Sequence, residues 1–256
     1  LKLKMIQNKE LVLFAEHTHN FWTGCRKISD GCKFCYMYRE QGSRGIDATN
    51  IKRVSDETFN KPKKIAGRKT IFTCSYSDFF ITDADDWRDD AWEVIRATPQ
   101  HIWIIITKRP EKILHRLPDE WDNGFSNVIL GVTVESDKYL QRADILRTIP
   151  AYSKLIIFEP LISDINNIDF TGIDWAIAGG ESGDRDKYRE CKLDWIRNIK
   201  AQAEQQNVAV FVKQTGTHLS TMSSHGSRLE ELPADLRIRN YPSIILNNQE
   251  LPGLFG

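Results

Sequence analysis

Six short runs of apolar residues recur along the chain, and each is followed by a polar cluster and, in most cases, by a stretch with helical spacing. The runs are Thr70–Cys74, His101–Ile106, Asn127–Val132, Lys154–Phe158, Asp174–Ala178 and Val208–Val212. Their apolar residues are continuous rather than alternating, so both faces of each strand must be buried. Strands of that kind, separated by helical segments, build a parallel sheet with helices against it. The helical stretches are Asp83–Thr98, with acids in its first turns and Trp87, Ala91, Val94 and Ile95 on one face, a segment from T-K-R-P-E to about Arg116, one running through Leu146, and Leu193–Gln206. Acidic side chains near a helix N-terminus favour its dipole. A weaker strand at Glu10–Ala15 would bring the count to about seven βα units.

Both an open doubly wound sheet and a closed or partly closed barrel fit that count. The barrel is favoured because every strand runs out into groups able to do chemistry: Ser75, Ser77 and Asp78; Thr107, Lys108 and Arg109; Thr133 and Glu135; Glu159; Gly179, Gly180 and Glu181; Lys213 and Gln214. In a barrel all these ends face one mouth, whereas an open sheet uses mainly the crevice where strand order reverses. The expected fold is therefore α/β, a single-domain partial TIM-like βα barrel of about six or seven parallel strands. It would span 21–216, with an N-terminal extension over 1–20 and a C-terminal extension over 217–256 packed on the barrel.

One stretch stands apart. Residues 22–38, W-T-G-C-R-K-I-S-D-G-C-K-F-C-Y-M-Y, place Cys25, Cys32 and Cys35 within eleven residues. The pair Cys32 and Cys35 flanks a tight turn, and Gly24 and Gly31 give the longer arm freedom to fold back over it. The stretch outlines a metal pocket. A four-iron cluster normally takes four cysteine ligands, so three would leave one iron open to substrate, much as a catalytic zinc keeps an open position. A structural zinc completed by His17 or His19 is the rival reading, although such sites usually pair two close ligands with two more, and the chain offers no second pair. Cys74, within an apolar run, and Cys191, in a polar stretch, read as structural.

The charges balance, with 35 Lys plus Arg against 35 Asp plus Glu. No global field would draw the chain to nucleic acid or to an anionic membrane. The basic run 61–69 reads as a solvated loop. The absence of any apolar run of membrane-spanning length, the lack of a secretory pattern in L-K-L-K-M-I-Q-N-K-E and an odd cysteine count point to a cytoplasmic protein without a membrane partner.

The ordered set W-T-G-C-x6-C-x2-C-Y, S-Y-S-D-F-F, T-K-R-P, G-V-T-V-E, F-E-P-L, A-G-G-E-S-G, F-V-K-Q-T-G and D-L-R-I-R-N-Y-P resembles a group of phage-associated and bacterial proteins of unknown function that carry a three-cysteine, radical-SAM-like motif. The likeness runs from about Phe21 to Pro242. Six residues separate Cys25 from Cys32 where the wider radical SAM superfamily usually has three, and Phe34 supplies the aromatic before the third cysteine. The resemblance implies a [4Fe–4S] cluster on Cys25, Cys32 and Cys35, whose open iron would chelate S-adenosylmethionine and cleave it to methionine and a 5′-deoxyadenosyl radical. It also implies an electron donor such as flavodoxin or ferredoxin.

By position Ser75, Ser77 and Asp78 are candidates for the methionine amino group. The literal G-G-E at Gly179, Gly180 and Glu181 lies late in the chain and is a weaker match to that role. Glu135 would accept from ribose hydroxyls, and Lys108 with Arg109 would pair with a carboxylate or phosphate. Glu159 and Lys213 are placed to act on the substrate, for which a nucleobase in phage DNA or a nucleotide precursor is the expectation by analogy; a small molecule or a peptide stays open. The competing class is a non-radical zinc or iron–sulfur module that binds nucleic acid.

Overall fold

The computed structural model describes residues 14–184, 186–220 and 225–246. In chain order the elements are β1 (His17–His19), β2 (Trp22–Thr23), α1 (Tyr36–Ser43), β3 (Lys52–Arg53), α2 (Asp56–Phe59), β4 (Thr70–Thr73), α3 (Asp85–Arg96), β5 (Ile102–Thr107), β6 (Val128–Thr133), α4 (Gln141–Thr148), β7 (Ser153–Phe158), β8 (Trp175–Gly179), α5 (Leu193–Gln205), β9 (Ala209–Gln214) and α6 (Ser243–Leu246). Seven strands form one sheet in the order β1-β4-β5-β6-β7-β8-β9, every neighbouring pair parallel. Strand order follows chain order, and the sheet curls into a half-barrel. β2 and β3 form a separate antiparallel pair.

Burial on both sheet faces explains the unbroken apolar runs. On the outer face Trp103, Ile105, Leu130, Val132, Ile156, Phe158 and Val210 pack with Val94 and Ile95 of α3, Leu146 of α4 and Ile196 and Ile199 of α5. The alternate residues Ile104, Ile129, Leu155, Ile157, Ile177 and Phe211 form an inner cluster with Ala15, Tyr241, Ile244 and Ile245. The inner face is thus filled from both ends of the chain. The segment before α6 also covers the β9 edge: Val212 donates to Ile238 O at 2.9 Å, Asn240 donates to Val210 O at 2.8 Å, and Phe211 bridges Arg239 antiparallel. An edge covered in this way is protected from pairing with another chain.

Two expected elements differ. The first strand lies at His17–His19; of the expected Glu10–Ala15, residues 10–13 fall outside the described residues, and Phe14 and Ala15 precede the strand. Between β5 and β6 the expected helix is reduced to two short 3-10 turns, Pro110–Lys112 and Leu114–Arg116. Pro110 and Pro118 bracket too short a stretch for a cooperative helix, and tertiary bonds hold the turns instead: Arg116 Nε donates to Asp85 at 2.7 Å and its carbonyl accepts from Trp92 Nε1 at 2.9 Å. Among the described residues no helix is long and apolar enough to cross a membrane.

Candidate functional site

The strands end together at one rim of the half-barrel, and the loop carrying Cys25, Cys32 and Cys35 lies over that rim. Their thiols line one cavity of about 200 Å³ with Ser75, Ser77 and Asp78 beyond β4, Lys108 and Arg109 beyond β5, Glu159 beyond β7, Gly180 and Glu181 beyond β8, and Lys213 of β9. Residues as far apart in sequence as Phe14 and Lys213 therefore share one wall. Of the sequence-predicted site residues, Glu135, Gly179 and Gln214 are absent from that wall.

The loop is held by contacts from most of the strand ends. Gly24 donates its N–H to Tyr76 O at 3.0 Å and accepts from Ser77 Oγ at 2.6 Å. Tyr38 of α1 donates its hydroxyl to Cys25 O at 2.5 Å, and Arg109 Nη2 donates to Arg26 O at 2.7 Å. On the far arm Ser29 Oγ donates to Glu135 Oε1 at 2.6 Å, Asp30 N donates to Tyr139 Oη at 3.0 Å, and Arg189 Nη1 donates to Asp30 O at 2.7 Å. Between β2 and α1 the loop's regular structure is a single 3-10 turn, Asp30–Cys32, and these contacts hold it in place.

Two acids expected to hold cofactor have other work. Asp78 is buried and its carboxylate is filled: Oδ1 accepts from Phe80 N at 2.9 Å and Thr107 Oγ1 at 2.7 Å, and Oδ2 from Lys108 N at 3.0 Å and Arg109 Nη1 at 2.9 Å. Four donors match the roughly four acceptor sites of a carboxylate, so no site remains for an ammonium. Asp78 instead ties the β4 end to the β5 end and aims Arg109 at the cysteine loop.

Glu135 is wholly buried beneath the cysteine loop. It accepts from Ser29, from Arg142 Nη1 at 2.6 Å and, as an ion pair, lies 3.3 Å from Lys108 Nζ. Burial opposes its ionisation, but Lys108, Arg142 and Ser29 together hold its carboxyl below the usual range. Gly31 rests directly on it, since a Cβ there would come within 2.4 Å of Glu135 Oε1. Glu135 is the floor under the cysteine loop, and the ribose-binding role expected from sequence has no place in this geometry.

The missing side chain of Gly180, a residue of the cavity wall, admits the chain after β9, where a Cβ would lie 2.2 Å from Thr215 O. The G-G-E-S-G and K-Q-T-G motifs are thus two sides of one crossing of loops. Glu181 is buried and takes three donors from Arg189, the backbone N and Nε both at 2.9 Å and Nη2 at 2.5 Å.

Arg189, which the sequence reading did not single out, reaches on to Asp30 O and stacks its guanidinium 5.7 Å from the Phe34 ring centre. It latches the β8 loop onto the cysteine loop. Such a charge-assisted bond contributes about 1.5–3 kcal/mol. Arg189→Ala is therefore expected to speed amide hydrogen exchange over residues 29–35 by roughly ten- to hundredfold; unchanged exchange there would show that the other tethers suffice.

Glu159 and Lys213 meet across the pocket, with Lys213 Nζ 2.7 and 2.8 Å from the two Glu159 oxygens and Gln214 Nε2 donating to Oε1 at 2.6 Å. Ser75 Oγ accepts from Asn20 Nδ2 at 3.3 Å and keeps its own proton for another partner.

All five cysteines are free thiols. Burial pushes Cys25 up to about 11 and also raises Cys35, so binding a metal there would release protons. Neither expected histidine reaches the pocket wall. His19 packs edge-on against Phe21 and Trp103, with ring centres at 4.5 and 6.0 Å, and burial lowers its pKa to about 4; His17 is exposed. Among the described residues no three His, Cys, Asp or Glu side chains gather tightly enough to hold one metal ion. Three cysteine thiols of one loop on the cavity wall are the ligand type that an iron–sulfur group would take.

No curated protein and no solved structure matches the chain. Residues 9–238 match a family described as protein of unknown function, DUF5131. With most of its length inside that match, the chain belongs to the DUF5131 family.

Proposed function

We propose that this chain is a radical enzyme that carries a [4Fe–4S] cluster on Cys25, Cys32 and Cys35 and uses S-adenosylmethionine, on a half-barrel of the partial TIM-like βα type. The observation that carries the reading is the sharing of one cavity by three thiols of one loop and the polar ends of the parallel strands. A reduced cluster with S-adenosylmethionine bound would supply a 5′-deoxyadenosyl radical able to take hydrogen from an unreactive carbon, the electron coming from a donor such as flavodoxin or ferredoxin.

The protein's own residues would bind and orient. Ser75 lines the cavity with a proton free, and Lys108 is one of the charges acting on Cys35, so these two are the candidates for the amino-acid end of the cofactor. Asp78, Arg109, Glu135 and Arg189 would hold the cysteine loop at the rim. Glu159 and Lys213 remain on the substrate side. A reducing cytoplasm suits five free thiols.

Metal analysis of anaerobically purified protein tests the reading. About four irons and four sulfides per chain, broad absorption near 400 nm and slow release of 5′-deoxyadenosine on reduction with S-adenosylmethionine are expected. A colourless protein with one zinc would overturn it in favour of a zinc-stabilised nucleic-acid-binding module.

A further inference from the structure

The substrate side of the cavity carries a donor and an acceptor set side by side. Glu159 Oε1 accepts from Lys213 Nζ at 2.7 Å and Gln214 Nε2 at 2.6 Å, while among the described residues Oε2 accepts only from Lys213 Nζ, at 2.8 Å. A carboxylate offers about four acceptor sites and an ammonium three protons. One site on Oε2 and one proton on Lys213 are left. Both side chains line the cavity, at 12% and 32% exposure. Gln214 cannot swing away, because its Nε2 also donates to Gly180 O at 3.1 Å.

The charges of Glu159 and Lys213 cancel. A bare carboxylate entering here would meet Glu159, and an ammonium would meet Lys213, so the pair favours a neutral group. The complement of an adjacent acceptor and donor is an N–H beside a C=O. The walls around the pair are apolar and partly aromatic: Phe72, Ile106 and Ile157 line the cavity, and the Phe14 ring lies 5.3 Å from the Lys213 ammonium. Apolar walls with one polar edge are the usual makeup of a site for a flat ring.

We propose that Glu159 and Lys213 form a recognition site for a neutral planar ring with a lactam edge, the N–H facing Glu159 Oε2 and the carbonyl facing Lys213 Nζ, as in uracil-, thymine- and hypoxanthine-type bases. That this ring is the molecule losing hydrogen rests on the function proposed above; its binding does not.

Calorimetric titration of the full-length, anaerobically purified protein tests the site without turnover. Uridine, thymidine and inosine are expected to bind, whereas N3-methyluridine and N1-methylinosine, which lack the lactam N–H, bind roughly tenfold or more weakly. Glu159→Gln and Lys213→Met should each weaken uridine to a similar extent, and the methylated nucleosides keep the test valid where either variant fails to fold. N3-methyluridine bound as tightly as uridine, or no binding of any lactam nucleoside at millimolar concentration, overturns the proposal. Iron is measured on the same sample. Lactam binding by iron-free protein would sustain this site and sink the radical reading, and cofactor cleavage without lactam binding would do the reverse.

Discussion

Alanine at any one of Cys25, Cys32 or Cys35 is expected to strip the protein of nearly all its iron, while Cys74→Ala and Cys191→Ala leave the content unchanged. The three loop thiols line the cavity together, and neither histidine reaches the wall to replace a lost ligand. Cys74 also borders the cavity, yet it sits in a left-handed turn at φ 59° just past β4 and its thiol is fully buried, with burial pushing its pKa up to about 12. Cys191 is buried in the outer core. Iron and sulfide assays on the five variants check this, and equal loss in all five would remove the assignment of the loop as ligand.

The second large effect is expected at Glu135. Glu135→Ala would leave Arg142 buried and Lys108 largely buried with no carboxylate between them, and breaking a buried pair on one side costs about 3–5 kcal/mol. Because Ser29 and Gly31 rest on the same carboxylate, the loss would loosen the cysteine loop as well as the sheet rim. Gly31→Ala should loosen the loop from above, since Glu135 is held by three partners and cannot yield to the added Cβ. Urea unfolding would report the first effect, and iron retention after dilution the second for both variants.

The pH dependence follows from the sign of the shift. The folded carboxyl lies below its ordinary value of 4.5, so its contribution is intact at neutral pH and drains away as the pH falls through and below that value. The acid limb of stability should therefore flatten in Glu135→Gln. An unchanged acid limb would mean that other carboxylates set it.

Much of the architecture is present in the linear chain because its cause is local. Strands buried on two faces must be continuously apolar, so β4 to β9 fall within one or two residues of the runs in the sequence, and Leu193–Gln205 follows its helical spacing. The cysteine loop is equally plain, because three thiols within eleven residues need no tertiary information to be noticed.

What each strand-end acid does was decided only by the fold. Asp78, Glu135 and Glu159 look alike as acids near strand ends. Long-range geometry separates them: Asp78 is filled by donors from the next strand end, Glu135 lies under a loop 106 residues away at Ser29, and Glu159 meets Lys213 across 54 residues with an acceptor site still free. The reach of Arg189 to the cysteine loop carries no local signal, since Asp30 is 159 residues distant, although its other partner Glu181 is only 8 away. Periodicity reports which face of an element is buried; it holds no record of which side chains a curled sheet brings together at its rim, and the hydrogen-bonding capacity left over there depends on that packing.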